Sequence, residues 1–253
     1  MAICGRFWFQ WIQRSECAHW APKMRHLDLA IDRDDFPVLR TQFHPPGRRR
    51  FCYIGSTASF KNTEYLTALA ARLPDTEIAW IGRGQPIRGL KPLGWADFSS
   101  DTGRALVSGF DFLVTVGRAD ANPTTILEAM AWGLIPVCTP QSGYAGVEGI
   151  VNVPLDDPAA AAAILARLNE APEEELLALQ AINWAALDQH YTWDRFAAQV
   201  VDAIESTESP ALGPEPLSRR LRFAFYGQLS PFGLPVSTWR RAQRRGRRLL
   251  ARG

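Results

Sequence analysis

The sequence predicts an α/β fold: a parallel sheet with helices packed on both faces. Three observations carry this reading. Short continuous apolar runs such as Phe110 to Val116 have the pattern of strands buried on both sides, as parallel strands are. These runs alternate with segments of helical periodicity, the order expected when each strand is joined to the next by a crossover helix. Two of the runs close in Gly55 and Gly82, and a third is followed by a polar loop containing Asp120.

In chain order, Arg48 to Gly55 reads as the first sheet strand. Asn62 to Leu73 follows as a helix, with Leu66, Leu69, Ala70 and Leu73 at helical spacing. Thr76 to Ile81 is a strand ending in Gly82-Arg83-Gly84, and Leu90 to Trp95 is a short third one. Ser99 to Ser108 is helical, then come the strand Phe110 to Val116, a central helix and the strand Ile135 to Thr139. Gly149 to Pro154 gives one more short strand. Asp156 to Asn169, Pro172 to Gln189 and Trp193 to Ser206 are helices, the last with Thr192 as N-cap and Trp193 as a packing residue. Residues 1–22 carry Trp8, Trp11 and Trp20 without evident partner elements, and His44 among prolines and glycine reads as surface loop.

The central helix carries the chemistry. Asn122 has the right side chain for an N-cap, and Pro123 suits the first helical position. Thr124 and Thr125 place hydroxyls in the first turn, and Gly133 ends the helix. A helix N-terminus at the C-terminal end of a strand presents free N–H groups and a partial positive charge, which suits a diphosphate. Glu128 lies about one and a half turns in, where it can accept hydrogen bonds from sugar hydroxyls. Asp120, before the cap, can reach a second group of the same ligand. The plainer alternative is a capped helix with solvated acids. Against it, ligands of open parallel sheets bind at the carboxyl ends of strands, and Gly55, Gly82 and Asp120 all fall at such ends.

Composition bounds the remainder. The chain has 253 residues, 47% hydrophobic and 21% charged, as in soluble globular domains. No run approaches the ~18 apolar residues of a membrane span, and Phe7 to Ile12 is too short for a signal-peptide core. Cys4, Cys17, Cys52 and Cys138 form no close pair. Cys52 and Cys138 are expected in core strands, and neither disulfide nor metal use is expected, which favours a cytoplasmic location. The four histidines lack metal-ligand spacing. Charge is uneven: Pro216 to Gly253 holds ten arginines and no Asp, Glu or Lys, so residues 1–215 carry a net −8. With Trp239, Ala242 and Leu249 on one side, Thr238 to Arg248 has the pattern of a basic amphipathic helix suited to an anionic membrane surface, such as the inner face of a cell membrane. A solvated tail has the same composition. No nucleic-acid-binding module accompanies the charge, and no nucleic-acid partner is expected.

The stretch Asp120 to Val137 resembles the acid-x7-acid region of retaining glycosyltransferases with two Rossmann-like domains, the GT-B architecture (group 1, family 4-like). Glu128-Ala-Met-Ala-Trp-Gly-Leu-Ile-Pro-Val137 matches closely, and Asp120 stands where the family has Glu. Residues 110–144 carry the resemblance most specifically, and it extends over 51–204. It implies a Rossmann-like parallel sheet, the C-terminal, donor-binding half of the architecture. The loop Gly55 to Lys61 resembles the family segment in which a Lys, often with an Arg beside the Gly, neutralises the donor diphosphate; Lys61 matches, but Ser56 and Thr57 replace the Arg. Gly82 resembles the first Gly of a G-x-G turn. Gly94 and Trp95 match the segment that touches the nucleotide base, where Trp95 either stacks on the base or packs in the core.

By this resemblance, residues 1–46 are the last piece of an acceptor domain and a linker, 47–206 the nucleotide-sugar-binding domain, and 207–253 a basic tail. The expected activity is sugar transfer from a nucleoside diphosphate sugar to an acceptor hydroxyl with retention, without metal or other cofactor. Lys61 and Asp120 are the electrostatic catalytic candidates. Donor binding is expected from Gly55, Lys61, Gly82, Trp95, Asp120, Asn122, Thr124, Thr125 and Glu128. The acceptor would be a glycan or a lipid-linked glycan. The alternatives are a truncated, non-catalytic nucleotide-sugar-binding module, or a nucleotide-sugar epimerase of the same architecture.

Overall fold

A computed structural model describes residues 2–205. The Arg-rich segment, and with it the expected basic tail, lies outside the described residues. The core is a six-stranded, all-parallel sheet. Its strands are β3 (Phe51–Ile54), β4 (Ile78–Ile81), β5 (Lys91–Gly94), β6 (Phe112–Thr115), β7 (Ile135–Cys138) and β8 (Val151–Asn152), in the spatial order β5-β4-β3-β6-β7-β8. Before them, β1 (Ala2–Cys4) and β2 (Arg25–Leu27) form a separate parallel pair. This gives residues 1–22 the partner elements that their sequence did not show.

The apolar runs behave as double-sided strands. In β3, Phe51 and Tyr53 point to one face and Cys52 and Ile54 to the other. All four are buried, as are the four residues of β4, β6 and β7. Phe51 pairs in register with Phe112, and their rings stack at 4.7 Å. One face is covered by α2 (Thr63–Ala70) and α5 (Pro158–Glu170), through Tyr65, Leu66, Leu69, Leu165 and Leu168. The other face takes α4 (Thr124–Trp132) and the end of α3 (Asp101–Val107). Each fully buried Leu, Ile or Phe contributes about 1.5–3 kcal/mol, and both layers hold many. Cys52 and Cys138 sit in this core, fully buried, where burial pushes the Cys138 thiol up to about 12.

Helix α6 (Glu173–His190) runs around the sheet, contributing Leu176 to one layer and Leu187 to the other. Helix α7 (Trp193–Glu205) follows, and Thr192 Oγ1 accepts from the Arg195 N–H at 3.2 Å, the N-cap that its sequence predicts. Trp193 is not a packing residue: it is 55% exposed, because it stacks edge-on against Phe196 of its own helix instead of entering the core. Helix α1 (Arg6–Arg14) lies between β1 and β2 in sequence, and Trp8 donates its indole N–H to the Gln141 carbonyl at 3.0 Å. Among the described residues, no helix is long and apolar enough to cross a membrane.

His44 does lie in a loop, but it is half-buried and tied to the sheet. Asp111, fully buried at the start of β6, accepts from His44 N (3.0 Å), His44 Nδ1 (2.8 Å), Arg50 N (2.8 Å) and Arg40 Nη2 (2.6 Å). A buried carboxylate is costly unless paired and hydrogen-bonded, and this one draws the 40–50 segment down onto the sheet.

The switch point lies between β3 and β6. From β3 the chain builds outward through β4 to β5, then returns to the other side of β3 and builds β6, β7 and β8. A crevice opens at the carboxyl ends of strands where the winding reverses in this way.

Candidate nucleotide-sugar site

Two loops border the crevice, one after β3 and one after β6. The first runs from Gly55 through a 3-10 turn, Ser59–Lys61, to Asn62, which is left-handed at φ 60° and caps α2. The second runs from Gly117 to Pro123. The Lys61 ammonium and the Asp120 carboxylate form an ion pair between the loops, with both side chains mostly buried. The two charged residues expected to meet the donor separately therefore meet each other first. Beside this pair, one residue on from Lys61 and two before Asp120, Arg118 donates from Nη2 to Asn62 Oδ1 at 2.5 Å, and its N–H donates to the Phe60 carbonyl at 2.9 Å. The sequence reading did not include Arg118, since an arginine in a polar loop carries no motif.

Close backbone approach explains two glycines here. A Cβ on Gly82 would lie 2.1 Å from the Gly55 carbonyl oxygen. The β3 and β4 ends can meet only because residue 82 has no side chain. Trp80 reinforces the junction by donating its indole N–H to the same oxygen at 2.9 Å. Gly143, at φ 92°, approaches Asn122 so closely that a Cβ would fall 1.7 Å from Asn122 Oδ1.

That contact corrects the expected cap. Asn122 is not the N-cap of α4; Pro123 holds that position, and no side chain caps the helix. Asn122, left-handed at φ 51°, instead precedes the cap, its N–H donating to the Ser142 carbonyl at 3.1 Å. Its side chain is buried against Gly143 and Gly5, with Oδ1 lacking a hydrogen-bond partner. Thr124 opens the helix in an exposed position and Thr125 is half-buried beside it. The N-terminus is thus left without a side-chain acceptor, open to an anionic ligand.

Glu128 is half-buried in α4. Burial raises its pKa above the ordinary carboxylate value, and a hydrogen bond with the Thr124 hydroxyl offsets part of that rise. A carboxylate in such a place is a good acceptor for hydroxyl groups, which compensate its lost hydration. Trp95, just after β5, is 58% exposed, so it does not pack in the core. The Arg83 guanidinium lies over its ring, 4.3 Å from the centroid. Arg83 is a second residue that the sequence reading passed over; its place between Gly82 and Gly84 was the available signal.

The structure therefore gathers Gly55, Lys61, Asp120, Asn122 and Thr124 around the β3 and β6 ends. Gly82 adjoins Gly55, and Trp95 with Arg83 extends the rim along the β4 and β5 ends. Thr125 and Glu128 follow on the helix that begins there.

No protein-family model matches this sequence, and no curated protein matches it significantly. Solved structures do resemble it in fold. A sucrose-phosphate synthase from Thermosynechococcus elongatus superposes with a TM-score of 0.62 at 18% identity, covering 81% of this chain and 57% of its own. HepE from Anabaena, solved with UDP and glucose, gives 0.58 at 14% identity, covering 81% of this chain and 62% of its own. The C-terminal domain of a group 1 glycosyl transferase from Francisella tularensis gives 0.52 at 16%, matching 65% of this chain and all of that domain. The fold is the Rossmann-like α/β fold found in GT-B glycosyltransferases. The chain spans 57% of the synthase's length and 62% of HepE's.

Proposed function

We propose that this chain binds a nucleoside diphosphate sugar and serves the transfer of its sugar to an acceptor hydroxyl, with retention. The observation that carries the reading is the Lys61–Asp120 pair, held between the β3 and β6 loops at the switch point of the sheet. The uncapped start of α4 follows directly in the second of these loops. A departing diphosphate accumulates negative charge. Fixed donors and cations aimed at that charge lower the barrier without needing to reorganise. Lys61 and the Thr124–Thr125 turn supply them, so the chemistry needs no metal ion. Glu128 accepts from ribose hydroxyls, Asp120 orients the transferred sugar, and Trp95 offers an exposed surface to the base.

The structural neighbours support this reading through their fold, and the HepE complex holds UDP and glucose in that fold. Calorimetry with UDP, GDP, ADP and their sugar conjugates tests it. Binding of at least one diphosphate, weakened in Glu128→Ala, is expected; failure of every common nucleotide to bind would overturn it.

A second reading is a donor-binding module without catalysis of its own; the chain spans 57% of the synthase's length. On our reading, residues 1–46 belong to an acceptor-binding part and act together with the rest of it. The tail after residue 207 would attach the protein to an anionic cytoplasmic membrane surface and bring it to a lipid-linked acceptor. Labelled-donor transfer assays with mixed acceptors separate the two readings. Vesicle co-sedimentation at low and high salt, with and without the tail, tests the attachment.

A further inference from the structure

The resemblance leads one to expect an arginine beside Gly55, and the chain has Ser56 and Thr57 there. On the proposed reading, a diphosphate would then face one lysine. That lysine is already neutralised by Asp120. The charge arithmetic of the crevice is therefore incomplete unless a second cation stands nearby.

Arg118 is such a cation. The two loops are joined by two neighbouring rungs: Lys61 to Asp120, and Asn62 to Arg118. The first rung has no net charge and the second carries a full positive charge, since Arg118 rests on a neutral amide oxygen. No carboxylate pairs with Arg118 among the described residues, and its side chain is exposed.

Its position is unfavourable for stability alone. Asn62 is the N-cap of α2, so the guanidinium sits at the positive end of a helix, one residue from Lys61. Cations there are disfavoured, whereas anions are stabilised. The surrounding structure nevertheless fixes it. Asn62 is 4% exposed, and its Nδ2 donates to the Val116 carbonyl at 3.2 Å, which aims Oδ1 at Arg118. The Gly117 carbonyl accepts from buried Thr139 Oγ1 at 2.6 Å, which anchors the loop just before Arg118.

We infer that Arg118 is the second diphosphate-binding cation of this site, delivered from the β6 loop in place of an arginine in the β3 loop. Its free N–H groups suit phosphate oxygens, which guanidinium binds in a two-pronged fashion. The inference rests on the proposed donor site and is tested separately from it.

The test is calorimetric titration of the full chain with inorganic pyrophosphate, with UDP, GDP and ADP, and with the matching nucleosides. The variants are Arg118→Ala, Arg118→Gln, which keeps a donor for Asn62 without charge, and Arg118→Lys. Both neutral variants should bind pyrophosphate and the preferred nucleoside diphosphate about tenfold more weakly or worse. Nucleoside affinity should be unchanged. The deficit should shrink as salt is raised, because screening removes the lost attraction. Arg118→Lys should fall between the neutral variants and the parent, keeping charge but losing the fork. Neutral variants that bind diphosphate within twofold of the parent would overturn the role of Arg118 and leave the donor site standing. A parent chain that binds no diphosphate would remove both.

Discussion

Lys61 and Asp120, 59 residues apart in sequence, pair across the crevice between the β3 and β6 loops. The pairing makes the effects of the two residues opposite in sign for a diphosphate. Lys61→Ala should weaken UDP or GDP binding by about 1.5–3 kcal/mol, the worth of a hydrogen bond to a charged group, and leave nucleoside binding unchanged. Asp120→Asn should leave diphosphate binding intact or tighten it, because the lysine is released, while the sugar conjugate loses affinity. Calorimetry on both singles and the double variant measures the coupling. Equal losses in both singles for the same diphosphate would contradict this account.

Glu128 should show two opposed pH dependences. Burial raises its pKa in the folded protein, the Thr124 hydrogen bond offsetting part of that rise, so its protonated form is favoured by folding. Its contribution to stability is therefore complete below the ordinary glutamate value, about 4.3, and is lost as pH rises through the raised folded value. Glu128→Gln should be more stable than the parent at neutral pH by thermal melting. Donor binding should run the other way, weakening as pH falls through the folded value, since only the carboxylate is a charged acceptor. Glu128→Gln should cost about 1.5–3 kcal/mol of donor affinity at neutral pH. A variant that loses both stability and binding would point to a packing role instead.

Trp95→Ala should weaken nucleoside and nucleoside diphosphate binding by the same amount, about 1–3 kcal/mol, as loss of base stacking does. Thermal stability should not change, because Trp95 is 58% exposed. A falling Tm with unaltered affinity would assign the residue to structure.

Gly82→Ala tests the junction of the β3 and β4 ends. The added methyl would stand 2.1 Å from the Gly55 carbonyl oxygen, so backbone must move. Such overpacking costs about 1–3 kcal/mol, read as a lower denaturation midpoint in urea. Because Gly55 begins the Lys61 loop, diphosphate affinity should fall with it. Wild-type stability and affinity together would show that the strand ends are looser than described.

Most of the fold was legible from sequence because a parallel sheet writes itself in apolar runs. Phe110 to Val116 and Ile135 to Thr139 needed only their hydrophobicity, and the strands observed are shorter versions of them. Helix ends were harder. Asn122 has the residue type of an N-cap, and only the approach of Gly143 and the Ser142 carbonyl moves the cap of α4 to Pro123. The long-range pairs were invisible. Asp120 looked like a ligand contact, and nothing local says that Lys61 lies opposite it. His44 looked like a surface loop residue, yet it bonds to the buried Asp111 at the start of β6. Arg118 and Asn62 meet only once the β3 and β6 loops are side by side.

The four hydrogen bonds gathered by Asp111 also moor one end of the segment that joins the N-terminal elements to the sheet. They clamp Arg40, His44 and Arg50 to the floor of the sheet, while Leu39 and Arg40 both donate backbone N–H groups to the Trp132 carbonyl at 2.9 Å. At the other end, the Ile31 N–H is held by the Tyr191 carbonyl at 2.9 Å, and Asp28 exchanges hydrogen bonds with Gln199. The stretch between these two moorings, residues 32–38, is fastened as well: Arg33 donates to Asp188 at 2.5 Å and lies over the Trp184 ring, and Phe36 packs against Trp132. The connector therefore follows the sheet layer as a strap fastened along its length, and the Asp111 carboxylate holds its last fastening, at the Arg50 N–H, just before the strand that leads to Gly55.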